Sequence, residues 1–174
     1  MLWVACGRAR LFREDCWKYF DLKEIDLSVY KNASVVGTVF HDYSGEDVQG
    51  MQAGKQADIV ELLYQMEDIT TPDNKAKNYV YYEARTLHDS SLSKAIHSIT
   101  ACDLGMEKEA YDMFMSAALT DLGQEMKSSD AGIHSANMGG VWQDVVMGFG
   151  GIRIRDGHLR IAPNCPKQWG KFTF

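Results

Sequence analysis

The sequence predicts a mostly α-helical chain that turns to β-structure only near its C-terminus. Between Lys55 and Met147, apolar residues recur at spacings of three and four, with capping and stop residues between the runs. After Gly151 the period switches to two, in a pair of short segments on either side of Asp156-Gly157. With 45% hydrophobic and 24% charged residues in 174 positions, the chain carries enough apolar side chain to bury a core.

Residues 1–50 are aromatic (Trp3, Phe12, Trp17, Tyr19, Phe20) and charged, without a sustained period, and are assigned only loosely. Ile59, Val60, Leu63 and Met66 predict a helix over Lys55–Met66, with Gly54 as the break before it. Thr71-Pro72 places a capping hydroxyl before a proline at the first helical position, and a Tyr-rich helix runs on to about Arg85. Ser93 is positioned to cap a third helix carrying Ile96, Ile99 and Leu104, closed by Gly105. Glu107–Leu122, with Ala110, Met113, Phe114 and Ala117 on one stripe, is predicted as a fourth, antiparallel to the third.

A fifth helix over Ser135–Met147 carries Met138, Val141, Trp142, Val145 and Val146 on one face, with Gly139-Gly140 inside it. Each helical glycine costs about 1 kcal/mol relative to alanine, so something is expected to approach that backbone closely. Gly148-Phe149-Gly150-Gly151 reads as a helix stop and bend. Asp156-Gly157 then predicts a type I′ hairpin that sets Ile154 opposite Leu159 and Ile152 opposite Ile161. The end, Trp169 to Phe174, begins another alternation.

Composition removes several classes of function. A net charge of -6, with no lysine or arginine cluster longer than a pair, leaves no footprint for nucleic acid. No apolar run approaches the length of about 18 residues that a membrane span needs. The apolar opening Met1–Cys6 precedes Arg8 and Arg10, the reverse of a secretory leader, so a cytoplasmic protein is expected. Cys6, Cys16, Cys102 and Cys165 lack the close spacings of zinc sites, and no metal is expected. Asn32-Ala33-Ser34 reads as a solvated loop rather than a glycosylation site.

Motif tests narrow the chemistry further. Gly50 to Gln56 has the wrong glycine spacing for a phosphate loop and lacks its hydroxyl residue. H-E-x-x-H and G-x-S-x-G do not occur. The unusual stretch is His88-Asp89-Ser90-Ser91-Leu92-Ser93, where three hydroxyls, an imidazole and a carboxylate precede a helix start. Free N–H groups and the helix dipole suit such a place to a phosphate, although from the stretch alone a capping box with spare serines is the better reading. His97 reads as a satisfied helix histidine, Lys55-Gln56 as solvent-facing residues, and His134 is open by itself.

Taken together, several segments resemble one family. They are Lys55-Gln56-Ala57-Asp58-Ile59-Val60, Tyr81-Tyr82-Glu83-Ala84-Arg85-Thr86, the His88–Ser93 stretch followed by Ile96-His97-Ser98, and Gly132-Ile133-His134 leading to Gly139-Gly140-Val141-Trp142. Phe149-Gly150-Gly151-Ile152-Arg153, Asp156-Gly157 and Pro166-Lys167-Gln168-Trp169 complete the order. In this order they resemble the glycoside hydrolase family 65 phosphorylases of maltose, kojibiose and trehalose, from about residue 19 to the end.

The resemblance implies the last helices of an (α/α)6 barrel, a six-hairpin helical ring, over residues 1–150, and the first strands of a C-terminal β-sandwich over 151–174. It implies a glycosyltransferase-type disaccharide phosphorylase, inverting, that yields β-glucose 1-phosphate with inorganic phosphate as co-substrate and no cofactor. By carry-over, Lys55 and Gln56 would hold the transferred glucose. Ser90, Ser91 and His134 would converge on the phosphate, with the Gly139 backbone allowing it close approach. The family's general acid, a glutamate in a Gly-Pro-Asp-Glu-like motif, has no counterpart in this sequence, so the catalytic set is incomplete and the chain alone is expected to be inactive. Twelve helices of about 12 residues with connections need upwards of roughly 200 residues, which points to a truncated gene product or an excised fragment. Full-length members would be homodimers. Two other readings stand beside this one: a hydrolase of the same family with Asp89 activating water, and a non-catalytic sugar-binding or assembly module.

Overall fold

The computed structural model describes residues 16–31, 36–123, 132–171 and 173. Asn32-Ala33-Ser34, Cys6 and the N-terminal aromatics Trp3 and Phe12 lie outside the described residues. The chain divides into two compact units, Met1–Ser90 and Ser91–Phe174.

In the first unit the stretch that showed no period folds as short turns. It holds 3-10 turns at Cys16–Asp21 and Thr38–His41, and one-turn helices α1 (Ser28–Lys31) and α2 (Gly45–Gln49). A capping box starts α2: the Ser44 hydroxyl accepts from the Asp47 N–H at 3.1 Å, and the Asp47 carboxylate accepts from the Ser44 N–H at 2.9 Å. Helices this short expose their periodicity to no sequence window, and they are held by a small core of Leu27, Val39 and Leu87, with Ile25, Tyr30, Tyr43, Val48 and Ala53 packed on it.

The first long helix, α3 (Asp58–Gln65), begins at Asp58 rather than Lys55. Gly54 explains the delay: its N–H donates to Arg85 O and its O accepts from the Leu87 N–H, both at 2.7 Å, so a bend at Lys55-Gln56 precedes the first helical turn. Val60, Leu63 and Tyr64 form the buried face of α3. Helix α4 (Pro72–Ala84) starts as its sequence dictates, with the Thr71 hydroxyl accepting from the Asn74 N–H at 3.3 Å and Pro72 at the first position.

In the second unit, α5 (Ser93–Asp103) is buried along almost its whole length. The expected Ser93 cap is not made. Leu92 already has helical backbone angles (φ -83, ψ -15), so Ser93 lies inside the helix, fully buried, and not at the extended position a cap requires. The exit follows expectation. Gly105 sits at φ 70, its N–H donates to Cys102 O at 3.0 Å and the Met106 N–H to Ala101 O at 2.9 Å, a Schellman ending.

Helix α6 (Glu107–Ala118) returns antiparallel to α5: the Ser98 hydroxyl donates to Ala110 O at 2.7 Å, and Lys94 Nζ to the Ser116 hydroxyl at 2.5 Å. It stops at Ala118, short of Leu122. Leu119 and Leu122 are 45% and 82% exposed, so a further turn has nothing apolar to bury against.

Helix α7 (Ser135–Gln143) continues into a π-helical turn at Asp144–Phe149. The expected apolar face is not the one that packs: Met138 and Trp142 are 56% and 62% exposed, whereas Asn137, Asp144, Gly148 and Phe149 are buried. Gly140 decides the orientation. A Cβ there would lie 3.2 Å from the Ala95 Cβ on α5, so α7 packs by close backbone approach along its small-residue side. The close approach expected of the glycine pair therefore belongs to Gly140, while the space around Gly139 is open.

The helix stop and the hairpin match the sequence. Gly151 turns the chain at φ 60 into β1 (Ile152–Arg155), which pairs with β2 (His158–Ile161) as Ile152–Ile161 and Ile154–Leu159. Asp156 and Gly157 adopt φ 51 and φ 74, the left-handed pair that a type I′ turn needs. Arg153 points inward and donates to Asp103 Oδ1 at 3.1 Å and to Met147 O. In place of the expected alternation at Trp169, a 3-10 turn spans Lys167–Trp169. The Trp169 ring packs edge-on against Phe149 and Phe114, centroids 4.8 and 5.2 Å away, because burying an indole on two rings outweighs extending an unpaired strand.

Candidate functional site

Lys55 and Gln56 lie exposed in the bend between Gly54 and α3. Gly54 forms an isolated parallel bridge with Thr86. The Lys55-Gln56 segment and the Leu87–Ser90 segment therefore leave that bridge side by side in the same direction. His88 follows with φ 57, a left-handed conformation that costs a non-glycine residue about 1–3 kcal/mol and persists only where its surroundings hold it.

Those surroundings are specific. The buried His88 ring has Nε2 3.6 Å from Glu83 Oε1, and Lys31 Nζ bonds the same carboxylate and donates to Glu83 O at 2.6 Å. Burial alone would raise the Glu83 carboxyl, but the Lys31 ammonium bonded to it and the His88 ring beside it outweigh that and pull the group down to about 2. On the other side of the turn, Asp89 Oδ1 accepts from the Gly37 N–H at 3.0 Å. The strained turn is thus fixed at both flanks, with Ser90 half-buried at its end. The rest of the Tyr81–Thr86 motif is also scaffold: Arg85 stacks 3.8 Å from the Tyr81 ring centroid, reaches Glu24 at 2.8 Å, and shares Gln52 Oε1 with the Tyr81 hydroxyl.

In the second unit, Ser91 is half-buried in the turn that leads into α5. His97 is fully buried and donates from Nδ1 to Ser93 O at 3.0 Å. His134 is the N-cap residue of α7 and is gripped by one carboxylate, Asp121, at the end of the α6 turn. Asp121 Oδ2 accepts from the His134 N–H at 2.9 Å and Oδ1 from its Nδ1 at 2.6 Å. The His134 hydrogen bond holds the Asp121 carboxyl below the usual carboxylate range. Asn137, buried, adds a second tie from α7 to α6 through Nδ2 to Ala117 O at 2.8 Å. Gly139 is exposed on the same first turns of α7.

A further acid lies beneath α7. Asp144 is fully buried, and neither of its oxygens has a hydrogen bond among the described residues. The nearby Ser98 hydroxyl, which would steady the charged form, is already donated to Ala110 O. Burial therefore pushes the Asp144 carboxyl up to about 8.

Of the residues expected at the site, Lys55, Gln56 and Ser90 belong to the first unit and Ser91, His134 and Gly139 to the second. Sequence reasoning places Asp121 in the last turn of the Glu107–Leu122 helix and singles out neither it nor the Lys31–Glu83–His88 group. No local pattern marks either, since their partners are distant in sequence. Among the described residues, no group of three or more His, Cys, Asp or Glu could hold a metal ion, and no helix is long and apolar enough to cross a membrane.

These features define a class: a mostly helical chain with a small two-stranded sheet, whose chemistry-bearing residues gather in turns at helix starts. The model of the glycosyl hydrolase family 65 central catalytic domain matches residues 2–143, and the chain belongs to that family. A kojibiose phosphorylase of Halothermothrix orenii is 44% identical over 156 residues, covering 90% of this chain and 20% of that protein. A maltose phosphorylase of Bacillus subtilis is 33% identical over 78% of this chain and 18% of its own length, and an α,α-trehalose phosphorylase of Thermoanaerobacter brockii is 43% identical over 71% and 16%. A solved structure of a putative kojibiose phosphorylase from the human microbiome superposes with TM-score 0.80 at 30% identity, over 95% of this chain and 24% of that one. The chain thus spans about a fifth of the length of the curated relatives it matches. The family match begins at residue 2, so it takes in the N-terminal stretch that shows no period of its own.

Proposed function

We propose that the chain is the phosphate-side part of an inverting α-glucoside phosphorylase, in which phosphate attacks the anomeric carbon to release β-glucose 1-phosphate and a free sugar. Its membership of a family whose named relatives phosphorolyse kojibiose, trehalose and maltose is the observation that carries this reading. An inverting reaction needs an acid at the leaving oxygen and a nucleophile on the opposite face. Phosphate is already an anion, so no general base is required, and no cofactor is called for. Lys55 and Gln56 hold the hydroxyls of the transferred glucose; Ser90, Ser91, His134 and the Gly139 backbone hold the phosphate. The acid must come from a segment outside this sequence, which has no Gly-Pro-Asp-Glu-like motif. In this reading residues 1–150 are the last helices of an (α/α)6 barrel and 151–174 open a β-sandwich, in a cytoplasmic, homodimeric enzyme.

The hydrolase alternative asks Asp89 to activate water. Its Oδ1 is engaged by the Gly37 N–H, a contact that suits a turn-fixing residue better than a base, and this favours phosphorolysis. Calorimetric titration of the purified chain with inorganic phosphate tests the proposal. Binding that is lost in Ser91→Ala and in His134→Ala is expected, with no glucose 1-phosphate formed from kojibiose, trehalose or maltose. Glucose released from these sugars without phosphate would overturn it in favour of hydrolysis.

A further inference from the structure

We infer that Asp121 is the positioning residue of His134: its carboxylate fixes the imidazole as the Nδ1–H tautomer and turns Nε2 outward. This rests on the reading of His134 as a phosphate ligand and adds the residue that makes it one.

The geometry is a two-point grip. One carboxylate takes both the backbone N–H and the ring Nδ1 of the same residue, at 2.9 and 2.6 Å, so the ring cannot rotate without breaking one contact. A carboxylate only accepts, so Nδ1 carries the hydrogen. The two ring nitrogens point in nearly opposite directions, and Nε2 therefore faces away from Asp121. Nε2 has no hydrogen bond among the described residues, and the side chain is 32% exposed, so it is presented rather than sealed. The carboxylate itself is only 14% exposed and cannot easily leave for solvent.

The pair is also anchored to rigid elements. Asp121 lies in the turn just after α6 and His134 at the N-cap position of α7, while Asn137 bonds Ala117 O one turn further on. With Nδ1 committed, Nε2 is left as the atom that can meet the phosphate, accepting from a protonated phosphate oxygen. The other tautomer would instead turn a bare Nδ1 toward the Asp121 carboxylate, lone pair against lone pair, which the two-point grip excludes.

Long-range proton–nitrogen NMR of the full chain, labelled with 15N at histidine, reads the tautomer directly. In the neutral ring of the wild type, His134 Nδ1 should show a pyrrole-like shift and Nε2 a pyridine-like one. Asp121→Ala should lose this signature and move toward the Nε2–H form, and Asp121→Glu should restore it in part. A merely structural role for Asp121 would leave the tautomer unmoved in a variant that still folds, judged by its amide spectrum. A wild-type ring with Nε2 protonated and Nδ1 bare would overturn the inference without recourse to any variant. Adding inorganic phosphate gives the second arm. Movement of the Nε2 resonance, with affinity falling about tenfold in Asp121→Asn, supports both readings. A fixed Nδ1–H tautomer that ignores phosphate leaves Asp121 as the positioning residue and removes His134 from the phosphate site.

Discussion

The Asp144 carboxyl lies against the Gly148 α-carbon, one turn further along the π-helical segment. A Cβ on Gly148 would collide with Asp144 Oδ1 and sit 3.4 Å from the Ile99 Cα of α5. The wide turn and the missing side chain together make room for an acid where α7 and the π-turn press on α5. The acid meets no donor there, so it is accommodated only as the neutral carboxylic acid.

The stability of the second unit should therefore fall toward alkaline pH. The folded Asp144 carboxyl titrates near 8 and an unfolded aspartate near 3.9, so the folded state holds the extra proton. Stability is complete below about pH 4 and is lost as pH rises through 8, by at most about 1.4 kcal/mol per pH unit. Asp144→Asn, never charged, should flatten the dependence and raise the urea midpoint at pH 8.5. Equal wild-type midpoints at pH 5 and pH 8.5 would contradict the buried neutral acid.

Acid should act on the first unit instead. Glu83 is held down near 2 by His88 and Lys31, so its contribution is present above its ordinary value of 4.5 and is lost as pH falls toward 2. Lys31→Met removes one partner and should cost on the order of 1 kcal/mol, the pair being partly exposed. Hydrogen exchange of the peptides around Tyr79–His88 should then rise at pH 4, where the wild type is still protected.

At Gly151 a side chain has no place. The residue sits at φ 60, and an added Cβ would overlap the Ala162 carbonyl that closes the hairpin base. Gly151→Ala should cost about 1–3 kcal/mol or more, and Gly157→Asn, open around its α-carbon, roughly 1 kcal/mol or less. Thermal unfolding of the two variants beside the wild type checks the order, and a milder Gly151→Ala would refute it.

The purified chain should self-associate. Ile133, Met138 and Trp142 expose 68%, 56% and 62% of their surface, and the hairpin presents Ile154, Leu159 and Ile161 on one side at 63% or more. Replacing Ile154 with Thr and Leu159 with Lys should reduce association in light scattering and leave the circular dichroism unchanged. A monodisperse monomer that unfolds in one sharp transition near about 60 °C would show these faces to be harmless.

The sequence by itself determined whatever depends on neighbours within a few residues. The Thr71 cap before Pro72, the Gly105 ending and the Asp156-Gly157 hairpin with its register were all legible, because each is a contact between positions one turn apart. It also pointed to the right family, since ordered motifs survive when their surroundings are unknown. Tertiary structure decided which face of a helix is inside and which side chains meet across loops. Met138 and Trp142 look like a core stripe, yet the Gly140–Ala95 approach turned α7 so that Asn137 and Asp144 went inward. Asp121 reaches His134, Asp89 reaches Gly37 and Lys31 reaches Glu83 over separations of 13, 52 and 52 residues. No local period encodes such a pairing, because its free energy exists only after the backbone has brought the partners together.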